Sequence, residues 1–163
     1  MVGRILVAEH HGAWVLKLVG DVRMTLCNTI EDCLSRMFAD ASFKSVVVDL
    51  TETECIDSTS LGLLAKISIK TKQRLGDVPT LISTNDDVTR ILLSMGFKDK
   101  VFVIASSYRQ ENYQLAEVTP LECSETSAEQ RVIEAHKILM DLNEHNRNEF
   151  KDLVSALESS CHR

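Results

Sequence analysis

The sequence predicts an α/β fold: a central, mostly parallel sheet with packed helices, opened by one antiparallel hairpin and followed by a C-terminal helical extension. Three observations carry this. Short runs dense in β-branched residues alternate with stretches whose apolar residues recur every three or four positions. The order β-β-α-β-α-β-α-β fills the first 105 or so of the 163 residues and then stops. Turn residues punctuate the joins, with Gly12, Gly20, Gly76, Pro79 and Gly96 falling between the runs.

Residues 4–9 and 13–19 read as two strands joined by His10-His11-Gly12, with Gly20-Asp21 closing the second. From Thr25 a first helix carries Leu26, Ile30, Cys33, Leu34, Met37 and Phe38 on one face and ends near Asp40. Ser45 to Leu50 has the composition of a buried strand, and a polar loop follows it. The second helix runs from about Ser58 to Leu75, burying Leu61, Leu64, Ala65, Ile67 or Ser68, and Leu75, and stops at Gly76. Pro79 opens a strand over Thr80 to Ser83. Asn85-Asp86-Asp87 starts a third helix with Val88, Ile91, Leu92 and Met95, and Val101 to Ala105 supplies the last strand.

Residues 1–107 therefore form one α/β domain. Residues 108–126 read as a connection, with a short helix around Gln110 to Leu115. The extension, 127–160, opens on a capping box, Thr126-Ser127-Ala128-Glu129, and carries Val132, Ala135, Leu139 and Leu142, then Phe150, Leu153 and Leu157. Asn143, Asn146 and Asn148 sit between the two apolar groups. One continuous helix or a hairpin breaking near residues 144–147 both fit. So do two uses of this tail: packing on the α/β domain, or serving as a docking and self-association surface.

Composition narrows the function. A net charge of −6, a pI near 5.4 and 5% aromatic residues argue against nucleic acid as a partner. Five cysteines with no C-x-x-C pair suggest neither a disulfide framework nor a zinc site, and Cys27 and Cys33 read as core residues. No apolar run approaches a membrane span, so a reduced, cytoplasmic protein is expected. No nucleotide-binding glycine loop, hydrolase elbow or metal-ligand spacing is present; no cofactor, metal or catalytic residue is assigned, and the protein is not expected to be an enzyme. All five histidines, His10, His11, His136, His145 and His162, are expected in solvent, which leaves Ser58 without a base.

The stretch Cys55-Ile56-Asp57-Ser58-Thr59-Ser60-Leu61-Gly62 carries the functional expectation. Three hydroxyls follow an acid at the mouth of a helix, where unpaired amides and the helix dipole suit a phosphate. The same residues are also ordinary N-cap chemistry. Asp49, Glu52, Glu54 and Asp57 make the surroundings acidic, so a phosphate here would deepen a negative surface.

Val46-Val47-Val48-Asp49-Leu50, then Ile56-Asp57-Ser58-Thr59-Ser60-Leu61-Gly62, with Gly20-Asp21-Val22 after the second strand, resembles the STAS domain of anti-sigma factor antagonists. The resemblance covers residues 1 to about 107. It implies that Ser58, rather than Thr59 or Ser60, is phosphorylated by a serine kinase and reset by a PP2C-type phosphatase. It further implies that the unmodified form binds an anti-sigma factor through Asp21, Arg23, Asp57, Ser58, Thr59, Ser60 and Leu61. The chain departs from the family at Ser60, usually glycine, and at Arg23, usually aspartate, which reverses one charge at a partner-facing turn. With the helical tail, it resembles longer Gram-negative antagonists that control motility and biofilm formation, whose partner can be the flagellar anti-sigma factor. Two other readings are a receiver phosphorylated on Asp49 and a nucleotide-binding or scaffold STAS module without a serine switch.

Overall fold

The computed structural model describes residues 1–108 and 113–161, with the side chain of residue 161 left aside. The first two strands, β1 (Arg4–His10) and β2 (Ala13–Val22), pair antiparallel with His10 opposite Ala13. Their turn is His11-Gly12, both at positive φ (50° and 86°), the geometry that matches the twist of a tight hairpin. Strand β2 is longer than the sequence predicts. It runs through Gly20-Asp21 to Val22, with register irregularities at Lys17/Val19 and Gly20/Asp21 that let the glycine stay within the ladder.

A 3-10 turn over Met24–Leu26 leads into α1 (Cys27–Ala39), which buries Cys27, Ile30, Cys33, Leu34 and Met37. Strand β3 (Ser45–Ile56) includes the stretch read above as a polar loop. Its outer half pairs in parallel with the far end of β2, Gly20 with Thr53 and Val22 with Ile56, so polar composition there reflects an exposed face and not a loop. Helix α2 (Ser58–Leu75) ends as expected at Gly76, with φ 80°. Leu75 is exposed, however, because it lies on the last turn beyond the core. Strands β4 (Thr80–Ile82) and β5 (Val103–Ala105) flank α3 (Asp86–Ser94), whose cap is the Asn85 side chain accepting from the Asp87 and Val88 amides.

After β5 the chain crosses the molecule. Ala116–Glu117 forms a strand the sequence reading lacks, β6, antiparallel to β1. The sheet order is β5-β4-β3-β2-β1-β6, with β2, β3, β4 and β5 parallel. The helix expected around residues 110–115 falls partly outside the described residues; Tyr113 to Leu115 are not helical.

The extension is a helical hairpin, α4 (Glu125–Leu142) and α5 (Glu144–Cys161). It breaks at Asn143, whose extended backbone (φ −167°, ψ 167°) interrupts the helical path. Helix α4 starts earlier than the capping box suggests: Ser124 is the cap, its Oγ accepting from the Ser127 amide. Ala135 and Leu139 are fully buried, so the tail packs on the α/β domain, against α2 and α1.

Candidate functional site

Asp57 determines where α2 begins. It is extended (φ −88°, ψ 168°), and its Oδ1 accepts from the Ser60 amide at 2.9 Å. Its Oδ2 accepts from the Met24 amide at 2.7 Å, and its own amide donates to the Val22 carbonyl at 3.1 Å. One carboxylate thus joins the turn after β2 to the mouth of α2, which brings the G-D-V-R and D-S-T-S segments together. Asp57 is both cap and clamp.

The three hydroxyls differ in access. Thr59 is 4% exposed and Ser60 0%, and the Ser60 Oγ has no hydrogen-bond partner among the described residues. Ser58 is partly exposed, and its Oγ lies 2.8 Å from Nε2 of His136. The other ring nitrogen, Nδ1, is 2.7 Å from the Val132 carbonyl, which can only accept. Nδ1 therefore carries a proton, and in the tautomer protonated there alone Nε2 accepts the Ser58 O–H.

That contact overturns two expectations. His136 is 2% exposed and packs edge-on against Phe150, with ring centroids 4.8 Å apart, whereas His10, His11 and His145 are exposed as predicted; His162 lies outside the described residues. Ser58 does have a base within reach. The signal was available: His136 follows Val132 by four and precedes Leu139 by three, which places it on the buried stripe of α4.

The hairpin is seated on α2 by close approach and by charge. A Cβ on Gly62 would overlap the Ala135 backbone carbonyl and fall 2.6 Å from the Ala135 Cβ, so glycine allows the two helices to touch. One turn on, Lys66 Nζ donates to Glu31 at 2.7 Å and to Glu134 at 2.5 Å, while Arg131 also reaches Glu134 at 3.3 Å. Burial works against the charge on Lys66, but the bonds from Glu134 and Glu31 outweigh it and hold its pKa above the usual value. At the hairpin turn, Asn143 and Asn146 donate to the Met95 carbonyl at 3.3 and 2.9 Å. An open cleft of about 710 Å³ remains beside Ser58, lined by Met24, Asp57, Val132, His136, Leu153 and Leu157 among others.

Of the other expected residues, Asp21 and Arg23 stand at the rim, paired at 3.8 Å with Arg23 well exposed. Leu61, expected at a partner face, is fully buried beneath the site. Asp49 is 1% exposed: Oδ1 accepts from the Thr51 amide and hydroxyl at 2.8 and 2.7 Å, and Oδ2 from the Tyr108 hydroxyl at 3.0 Å. A carboxylate so enclosed is poorly placed to meet a phosphoryl donor, which counts against the receiver reading. Among the described residues no cluster of histidine, cysteine and acidic groups could hold a metal, and no helix is long and apolar enough to cross a membrane.

Element order, sheet order and a hydroxyl cluster clamped at the mouth of the second helix define a small α/β module with a mixed sheet. The chain belongs to the STAS domain family, whose model matches residues 4–111. It is similar to the anti-sigma-F factor antagonist RsfB of Mycobacterium tuberculosis strains H37Rv and CDC 1551, at 28% identity over 103 residues, covering 63% of this chain and 81% of that protein. The fold is also that of the anti-sigma factor antagonist SpoIIAA in its unphosphorylated form, with a TM-score of 0.51, 12% identity, and 63% of this chain and 89% of that one covered. The phosphorylated form of SpoIIAA, a Bacillus cell fate determinant, aligns with a TM-score of 0.50 at 13% identity, covering 61% of this chain and 90% of that one. The α4–α5 hairpin lies beyond the residues that the family model matches.

Proposed function

We propose that this protein is a phosphorylation-switched anti-sigma factor antagonist: with Ser58 unmodified it binds an anti-sigma factor and so releases a sigma factor for transcription. The observation that carries the reading is the sorting of the three hydroxyls, because Ser58 alone of the three is open to solvent, at a helix mouth held by Asp57. The names of the relatives support the general role. A phosphoryl group would add about −1.5 to −2 charges beside Asp57, enough to disfavour an interface built around that helix end. Asp21 and Arg23 form the exposed rim a partner would read, and Thr59 and Ser60 are too buried to substitute as acceptors.

In this reading a serine kinase and a PP2C-type phosphatase set the state of Ser58, the protein acts in the cytoplasm and is not itself an enzyme, and the flagellar anti-sigma factor is the candidate partner in control of motility and biofilm formation. Affinity capture with Ser58→Ala and Ser58→Asp baits, followed by mass spectrometry and phosphosite mapping of the native protein, tests it. An anti-sigma factor should be enriched on the alanine bait and lost from the aspartate bait. Equal recovery on both would rule out the serine switch and leave the scaffold or nucleotide-binding alternative.

A further inference from the structure

We propose that the α4–α5 hairpin is an intramolecular cap on the partner surface, a segment of the chain that competes in cis with whatever docks at Ser58. The inference rests on the reading of Ser58 as the switch, but its observations are separate. The hairpin lies outside the family's matched residues and yet supplies the hydrogen-bond partner of Ser58. It also covers α2 one turn further along, where Gly62 meets Ala135. A kinase must reach the Ser58 Oγ, against which the His136 ring now sits.

The seam has an apolar centre at Ala135 and Leu139 and a polar border. That border is rich in charge and amide groups, with Lys66 between Glu31 and Glu134, Arg131 beside Glu134, and two asparagines on the Met95 carbonyl. Such polarity is typical of interfaces between units that move relative to one another, where the groups released are readily hydrated. The Ser58–His136 bond is also specific to the unmodified state. A phosphoryl group removes that O–H and adds bulk and about −1.5 to −2 charges at the contact.

A cap lowers the apparent affinity for a partner by the fraction of molecules uncapped. Gly62→Ala is the discriminating variant, since it suits a helix, lies away from the rim, and places its methyl against the backbone of α4. The test uses the full chain and two readouts: amide hydrogen exchange, and affinity for the anti-sigma factor identified with the Ser58→Ala bait and then purified. Gly62→Ala should speed exchange across residues 132–139 roughly tenfold, leave β3 unchanged, and tighten partner binding about fivefold. His136→Ala should act in the same direction and serves if Gly62→Ala folds poorly. Unchanged exchange in both variants, or faster exchange without tighter binding, overturns the cap. Equal binding by Ser58→Ala and Ser58→Asp, with Gly62→Ala still tighter, overturns the switch and leaves the cap standing.

Discussion

Ser58 Oγ and His136 Nε2, 78 residues apart in the chain, meet at 2.8 Å across the seam between the α/β domain and its helical extension. The bond ties the state of the serine to the position of the tail. Removing the donor in Ser58→Ala leaves a buried imidazole nitrogen without its partner and should cost about 1 kcal/mol. Ser58→Asp should cost more at pH 8, since a charged carboxylate then replaces a neutral hydroxyl at a partly buried contact. Urea denaturation of both variants at that pH checks the order.

Asp57 should matter to stability independently of any partner. Asp57→Ala removes the α2 cap and the bond to the Met24 amide together, a loss of about 1–2 kcal/mol. Hydrogen exchange should quicken at Met24 and Ser60, the two amides it holds, before it changes elsewhere. A thermal melt within a degree of wild type would contradict this role.

Lys66 holds two carboxylates from two different elements, Glu31 and Glu134. Lys66→Met strands both in a partly buried seam and should destabilise by about 1–3 kcal/mol, with Lys66→Arg recovering part of that. Chemical denaturation of the two variants measures it, and equal values for Met and Arg would show that the charge is not needed.

Alkaline pH should weaken the fold. Burial pushes the Cys27 thiol from its ordinary 9.0 up to about 12 and Cys33 to about 11, and burial followed by the Asp49 charge raises Tyr108 from 10.0 to about 12. Between the ordinary and raised values the unfolded chain has released protons that the fold retains, so unfolding becomes easier as pH rises. Their contribution is complete below about pH 9 and falls away from there toward 12. Melting temperatures from pH 8 to 11 should decline, and iodoacetamide at pH 8 should label exposed Cys55 well before Cys27 or Cys33.

The alternating core was legible in the sequence because one-sided burial leaves a period. Ile30, Cys33, Leu34 and Met37 on α1, and Leu61, Leu64 and Ala65 on α2, announce their faces by spacing alone. The outer half of β3 was not legible, since Thr51 to Cys55 are polar and their strand state comes from pairing with β2. Strand β6, two residues long, carries too little pattern to read. At the site, the hydroxyls and Asp57 were found from local chemistry, but their ranking by burial and the approach of His136 depend on how a helix 78 residues away is laid down. A histidine in a polar tail carries no compositional sign of burial, and only the position of His136 on the apolar stripe points inward.

Strand β6 has a bearing on how this protein can be handled. Leu6 and Val7 pair with Glu117 and Ala116, the Val118 amide donates to the Ile5 carbonyl at 2.8 Å, and Arg4 is bonded to Glu117. A chain cut at residue 111, where the family match ends, would lose this strand and bare an apolar edge at Ile5 to Val7. Open edges recruit strands from other molecules. Such a fragment, which also loses the hairpin that covers α2, should form oligomers or precipitate at concentrations where the whole chain does not.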